Sequence, residues 1–200
     1  MTDAVAIDFG TSRTKLAYLD SRSQKPELMR MGYQDQAFLP SLFYLPRDSE
    51  SISWGYDAEE MLEVDPAGIV EVLKRHLHER YVYANRRKVT PLTLLTALFK
   101  QLREQTGEEV TAFRGTPPGK AVLAVPALYG PMAEKLLREA AYAAGFGEVE
   151  LLLEPVAAAR AWLLETGETE QDVVVLDCGG GTLDLAYLRC QQGEMRLVPG

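Results

Sequence analysis

Two short stretches of this chain combine an acid, glycine and a hydroxyl residue. The first is Asp8-Phe9-Gly10-Thr11-Ser12, and the second is Asp177-Cys178-Gly179-Gly180-Gly181-Thr182. Glycine tolerates positive φ and close backbone approach, so such a loop can present bare N–H groups to an anion. An acid beside the loop suits a hydrated divalent metal better than a bare phosphate, which it would repel. A phosphate bound together with Mg²⁺ explains the presence of both features.

Apolar runs surround both stretches. Ala4–Phe9 and Arg13–Leu19 flank the first stretch, Val173–Leu176 precedes the second, and another alternating run follows it. This pattern is typical of two strands joined by a tight turn. Because a plain hairpin also needs glycine, either stretch alone has a purely structural explanation. Since the same order of acid, glycine and threonine occurs near both ends of the chain, we predict two loops that face one triphosphate from two sides.

The rest of the chain alternates helix and strand signals. Thr90-Pro91 is a typical helix start, and this helix is predicted to run to Gln105 and to stop at Gly107. Strands are predicted at Lys120–Val125 and Glu148–Leu153, and helices at Met132–Ala144 and Pro155–Glu165. Strands that alternate with helices favour an α/β fold, with a mixed sheet and helices packed on its faces.

Residues from roughly 30 to 90 are more irregular and more polar. Asp57 is predicted to cap a helix over Ala58–Val64, and apolar spacing predicts another helix over Ile69–Arg80. His76 and His78 would point to different faces of that helix, so we expect surface histidines rather than a metal pair. We expect this segment to form a small inserted subdomain.

Composition limits the class of protein. The chain has 200 residues and a net charge of −8, and no basic cluster stands out beyond Arg86-Arg87-Lys88, so a nucleic acid partner is not expected. No apolar stretch is long enough to span a membrane, and no signal peptide is expected. Cys178 and Cys190 have the wrong number and spacing for a disulfide framework or a zinc site. We therefore expect a cytoplasmic protein.

Both glycine loops resemble the phosphate loops of the actin and heat-shock protein 70 superfamily. Asp8–Ser12 is similar to the first loop of that superfamily, and Asp177–Asp184 is similar to the second. Further segments resemble the chaperone branch in order and spacing, namely Leu39-Pro40-Ser41, Val72-Leu73-Lys74-Arg75, Val125-Pro126-Ala127 and Leu153–Ala159. The resemblance implies an actin-like ATPase fold, related to ribonuclease H, with a core of residues 1–30 and 90–200 and an inserted subdomain of residues 31–89.

The resemblance also implies a function. Members bind Mg-ATP or ADP between two lobes and hydrolyse ATP slowly, with a J-domain co-chaperone, a nucleotide exchange factor and unfolded peptide as partners. This chain resembles the first lobe only, so we expect it to be a fragment whose missing second lobe and peptide-binding domain lie elsewhere. Alone, the fragment is expected to bind nucleotide weakly and to be inactive.

Site roles follow from the same resemblance. Asp8 and Asp177 would hold Mg²⁺ through water, because this ion keeps part of its hydration shell. Glu154 would orient the attacking water, the alternative being a first-turn acid that the helix dipole favours. The predicted catalytic residues are Glu154, Asp177, Lys15 and Thr182. The predicted nucleotide-binding residues are Gly10, Thr11, Ser12, Lys15, Gly179, Gly180, Gly181 and Thr182.

The chain departs from the chaperone pattern at two positions. The family's catalytic lysine is expected to align with Glu59, an acid, and Lys15 is then the candidate cation that replaces it. Glu134 stands where the chaperones carry an arginine involved in coupling the first lobe to the peptide-binding domain. Glu59 keeps a nucleotide-binding pseudo-ATPase switch open, and Lys15 keeps a sugar kinase open. A filament-forming bacterial actin shares both phosphate loops and is the remaining alternative.

Overall fold

The structure is a computed structural model that describes residues 4–20, 22–31, 36–110, 113–168, 171–191 and 194–198. The strands are β1 (Ala4–Phe9), β2 (Arg13–Leu19), β3 (Pro26–Leu28), β4 (Leu39–Pro40), β5 (Phe43–Tyr44), β6 (Ser53–Trp54), β7 (Ile69–Val70), β8 (Val82–Ala84), β9 (Arg87–Val89), β10 (Lys120–Val125), β11 (Glu148–Leu153), β12 (Asp172–Cys178), β13 (Leu183–Gln191) and β14 (Glu194–Leu197). The α-helices are α1 (Tyr56–Glu59), α2 (Met61–Val64), α3 (Pro91–Glu109), α4 (Pro131–Ala143) and α5 (Glu154–Thr166).

A mixed sheet forms the centre of the molecule, as the sequence predicts. Its order is β11-β10-β1-β2-β3, and β4 also pairs with β2. β1, β10 and β11 run parallel, whereas β2 is antiparallel to β1. Val5, Ile7 and Phe9 of β1 are buried in one apolar cluster with residues of α3 and α4. The alternation of β1 therefore turns Asp8 toward the opposite face of the sheet.

Helix α3 begins as predicted but ends later. The Thr90 hydroxyl oxygen accepts a hydrogen bond from the Thr93 N–H at 3.1 Å, which confirms the predicted cap. The predicted stop at Gly107 is wrong, because the helix continues to Glu109. A Cβ atom at Gly107 would lie 2.7 Å from the backbone nitrogen of Pro117, so this glycine allows close packing of the following loop. Among the helices that the structure describes, none has the length and apolar character needed to cross a membrane.

The second glycine stretch belongs to a separate sheet. Among the described residues, strands β12, β13 and β14 form a three-stranded antiparallel sheet of their own. One face of this sheet packs on α5 in a small apolar cluster around Val156, Ala159 and Leu188. The opposite face exposes large apolar side chains, among them Leu176 and Leu185. The expected core of residues 1–30 and 90–200 thus contains two sheets, and each glycine loop lies on a different one.

The segment from 31 to 89 contains two small sheets, β6-β5-β7 and the β8-β9 hairpin. The helix predicted over Ile69–Arg80 is wrong: β7 and a 3-10 turn at Leu73–His76 occupy this range, and Val72 adopts a left-handed φ of 48° that interrupts a helix. The predicted Asp57 cap is also wrong. Gly55 precedes α1 instead, without a side-chain cap, and α1 and α2 are single short turns.

Candidate nucleotide site

The carboxyl ends of three parallel strands place two acids at one edge of the central sheet. Asp8 lies near the end of β1, and Glu154 follows β11 directly as the first residue of α5. β10 lies between these two strands. In open α/β sheets, ligands bind in the crevice outside the carboxyl ends of the strands. Topology therefore brings together two acids that lie far apart in sequence.

The first glycine loop joins β1 to β2. Gly10 donates its N–H to the Arg13 carbonyl at 3.0 Å, and a Cβ atom on Gly10 would lie 2.5 Å from that carbonyl oxygen. Glycine is therefore required for the tightness of this turn. In the strand pairing that follows, Lys15 stands directly opposite Asp8. Directly opposed residues share a face, so Lys15 also lies on the face of the sheet away from α3 and α4.

The second glycine loop joins β12 to β13 and lies against the first. Gly179 donates its N–H to the Thr182 carbonyl at 3.0 Å, which closes the turn. A Cβ atom on Gly180 would lie 2.9 Å from the Ser12 Cβ atom, and one on Gly181 would lie 3.0 Å from Thr11 Cγ2. The two loops thus approach each other, as the sequence predicts, although they belong to different sheets.

An open cavity of about 750 Å³ lies between the two loops and the sheet edge. This volume falls within the usual range for small-molecule and cofactor sites. The predicted site residues that line it are Asp8, Gly10, Thr11, Ser12, Lys15, Glu154, Asp177, Gly179, Gly180 and Thr182. Gly181 is not part of this lining. Its carbonyl instead accepts a hydrogen bond from the Arg75 guanidinium, which ties the inserted segment to the second loop.

Lys74 is the site residue that the sequence reasoning missed. It lines the same cavity, and its Nζ atom lies 2.7 Å from Oε1 of Glu154. Both side chains are largely withdrawn from solvent, with exposures of 11% and 17%. The segment Val72–Arg75, whose resemblance to the chaperone branch is visible in the sequence, was the signal that pointed to this lysine.

The structure also corrects the expectation for Glu59. This acid is exposed on α1 and is not among the described residues that line the cavity. Lys74 does line the cavity, so a positively charged side chain is present there. The sequence predicted that Glu59 would place a negative charge where the family has a positive one. Among the described residues, Glu59 does not line this cavity, so it does not place that negative charge there. Lys15 remains a second candidate cation, since it too lines the cavity.

Burial and charge shift the protonation of Glu154. Desolvation raises the pKa of this carboxyl above its usual range, and the nearby negative charges of Asp8 and Asp177 add to that rise. The hydrogen bond and positive charge of Lys74 act in the opposite direction. Asp8 and Asp177 therefore both lie close enough to Glu154 to act on its charge.

Two carboxylates, Asp8 and Asp177, are suited to hold Mg²⁺ in this cavity. Within the described ranges no group of three or more His, Cys, Asp or Glu side chains forms a cage for a metal ion. Mg²⁺ is commonly bound by one or two carboxylates, with water and substrate phosphates as the remaining ligands. The donor set therefore fits an ion that arrives together with a phosphate, and it does not fit a structural zinc site.

The contact between the loops gives a testable prediction. Gly180→Ala places a methyl group against the Ser12 side chain, so the loops must separate. We expect this change to weaken ATP binding about tenfold, which corresponds to roughly 1.4 kcal/mol. Gly179→Ala is the matched comparison, because its Cβ atom would approach no described atom closer than 3.5 Å, and its loss should be smaller. Calorimetric titration with ATP measures both, and equal losses would contradict the prediction.

Comparison with known proteins gives one consistent result. The family model described as Hsp70 protein matches residues 56–199. The chain is 30% identical over 191 residues to the chaperone protein DnaK of Elusimicrobium minutum, covering 94% of this chain and 30% of that protein. It is 29% identical over 222 residues to the chaperone protein HscA homologue of Histophilus somni, covering 98% and 34%. A homologue of HscA from Acinetobacter baumannii is 27% identical over 218 residues. The chain spans about a third of the length of these relatives.

Proposed function

Because the chain belongs to the Hsp70 protein family, we propose that its cavity binds the phosphates of Mg-ATP and supports slow ATP hydrolysis in a chaperone of that type. The matched region includes the second glycine loop, Lys74 and Glu154, and the DnaK relative extends the similarity to 94% of the chain. The proposal concerns the protein that carries this chain, since the chain spans about a third of its relatives.

The observation that carries the proposal is the partly buried Lys74–Glu154 pair in the cavity that the two glycine loops also line. A lysine on one side of a cavity supplies positive charge for a phosphate, and a partly buried carboxylate supplies a base for water. Phosphoryl transfer needs mainly positioning and charge neutralisation, so a cation, a base and bare N–H groups are sufficient in kind. The same arrangement has no evident structural purpose, because a partly buried ion pair adds little net stability.

Each residue has a defined task in the proposed reaction. The backbone N–H groups of both loops bind phosphate oxygens, and the hydroxyl groups of Thr11 and Thr182 donate to the terminal phosphate. Glu154 accepts a hydrogen bond from the attacking water and receives its proton as the new oxygen–phosphorus bond forms. The bond from the terminal phosphorus to the bridging oxygen breaks, and ADP leaves. When bound by Asp8 and Asp177, Mg²⁺ supplies charge that neutralises the phosphates.

The test is turnover of radiolabelled ATP by the purified protein that carries this chain, with Mg²⁺ and with a chelator. We expect slow phosphate release that requires Mg²⁺. Binding without release would favour a pseudo-ATPase switch, and ATP-dependent pelleting would favour a filament. The ground for the switch was Glu59, and the structure places that acid away from the cavity lining. No binding by calorimetry would overturn the proposal as a whole.

Partners and location follow from the family. We propose a J-domain co-chaperone, a nucleotide exchange factor and unfolded peptide as partners of the whole protein. We also propose a cytoplasmic location, supported by the state of the two cysteines: Cys178 is exposed, Cys190 is buried, and both are free. Pull-down with a J-domain protein in the presence of ATP tests the first of these partners.

A further inference from the structure

A partly buried tyrosine near the Lys74–Glu154 pair has no assigned task. Tyr129 lies in the loop between β10 and α4, and its side-chain oxygen is buried without a hydrogen-bond partner among the described residues. The Lys74 ammonium lies 5.8 Å from the centre of the Tyr129 ring, within the range of a cation–π interaction. Buried hydroxyl groups nearly always have a partner, so an unpaired one requires an explanation.

The Tyr129 hydroxyl is suited to donate to a carboxylate. Burial raises the pKa of Tyr129, and the negative charge of Glu154 raises it further, so the hydroxyl keeps its proton. Lys74 links the two side chains, because its Nζ atom lies 5.8 Å from the centre of the Tyr129 ring and 2.7 Å from Oε1 of Glu154. In this structure, Lys74 occupies Oε1 of that carboxylate.

A phosphate in the cavity would compete for the Lys74 ammonium that now contacts Glu154. The Lys74 ammonium also lines the cavity, so an anion there competes with Glu154 for it. A carboxylate that loses its partner while partly buried is left with an unfavourable charge. Besides Lys74, the charged groups that act on Glu154 are Asp8 and Asp177, and these two acids disfavour its ionised form. A neutral donor that can replace Lys74 would keep the carboxylate ionised and oriented.

We propose that Tyr129 is a positioning residue that donates a hydrogen bond to Glu154 when Lys74 turns from this carboxylate to the phosphate. This inference rests on the proposed function for the role of the phosphate. The hydroxyl holds the carboxylate in the orientation that water requires, and the Tyr129 ring guides the lysine between its two partners. Tyr129 itself touches neither the nucleotide nor the water.

The first test does not depend on nucleotide. Selective ¹³C labelling of glutamate carboxyl carbons, with Glu154→Gln for assignment, reports proton binding by Glu154 in four forms of the full chain: unchanged, Tyr129→Phe, Lys74→Met and the double variant. With Lys74 present, Tyr129→Phe should change proton affinity little. With Lys74 replaced, it should strengthen proton binding about fivefold, because the remaining donor is lost. Equal effects in both backgrounds would overturn the proposal. Lys74→Gln serves as a second background if Lys74→Met lowers the melting temperature.

The second test uses turnover. Tyr129→Phe should lower kcat about fivefold with an unchanged KM for ATP, and the acidic limb of the kcat profile should move to higher pH. Tyr142→Phe, at an exposed position on α4, is the matched control. A loss of packing alone would lower stability without moving the pH profile, and an unmoved profile would overturn the proposal. If the unchanged protein releases no phosphate, the proposed function fails in its hydrolytic step, and the labelling experiment still decides this inference.

Discussion

Lys74→Met is expected to lower ATP turnover by about 100-fold to 1,000-fold, the usual cost of removing a preorganised group that stabilises transition-state charge. The lysine lines the cavity, and its ammonium is held at 2.7 Å from the carboxylate that is proposed to activate water. Methionine keeps the length of the apolar stem and removes the ammonium group, with its charge and its hydrogen bond to Glu154. Nucleotide binding should weaken much less than turnover, because the loop N–H groups remain.

Two other lysines provide the comparison variants for this prediction. Lys135→Met, on the exposed surface of α4, is the control for loss of positive charge and should leave turnover unchanged. Lys15→Met tests the alternative cation, since Lys15 also lines the cavity. Phosphate release under single-turnover conditions is measured for all three variants and compared. If Lys15→Met abolishes turnover and Lys74→Met does not, the sequence-based choice of Lys15 is the better one.

Glu154→Gln should reduce turnover by about 100-fold or more, because an amide cannot accept the proton of the attacking water. The amide keeps the size and hydrogen-bonding reach of the carboxylate, so ATP binding should persist. Glu165→Gln, an exposed position on the same helix, provides the matched control. Binding by calorimetry and release of phosphate are measured on the same preparation. Full turnover by Glu154→Gln would leave only a structural role for this residue.

The raised pKa of Glu154 gives this prediction a pH dependence. Only the ionised carboxylate accepts a proton, so turnover should fall as pH drops through the raised pKa of Glu154, which is above the usual value for a glutamate. Lys74 lowers that pKa, so the residual activity of Lys74→Met should fall at a higher pH than that of the unchanged protein. An acidic limb that stays in place would show that Glu154 is not the titrating base.

Local chemistry explains how much of the fold was predictable. The Thr90-Pro91 helix start, strands β10 and β11 and the two glycine hairpins were all predicted, because caps, alternation and turns depend on neighbouring residues. The same rules failed where apolar spacing was ambiguous. The pattern in Ile69–Arg80 suits a helix, but the side chains of Leu73 and Leu77 are buried in the central core by a strand and a 3-10 turn. Tertiary packing therefore overrode local preference.

The two glycine hairpins are what the sequence by itself determined, and their residue types and order predict both an anion site and an accompanying metal. That they lie on two different sheets follows from strand pairing, which residue order does not reveal. Lys74 and Glu154 are 80 residues apart, and their contact depends on how the inserted segment returns across the sheet edge. The local spacing of residues carries no information about this contact between Lys74 and Glu154, because long-range contacts are set by the packing of the whole core. The tertiary structure alone therefore decided that Lys74 joins Lys15 in the lining of the cavity, and it placed the unpaired hydroxyl of Tyr129 near that lysine.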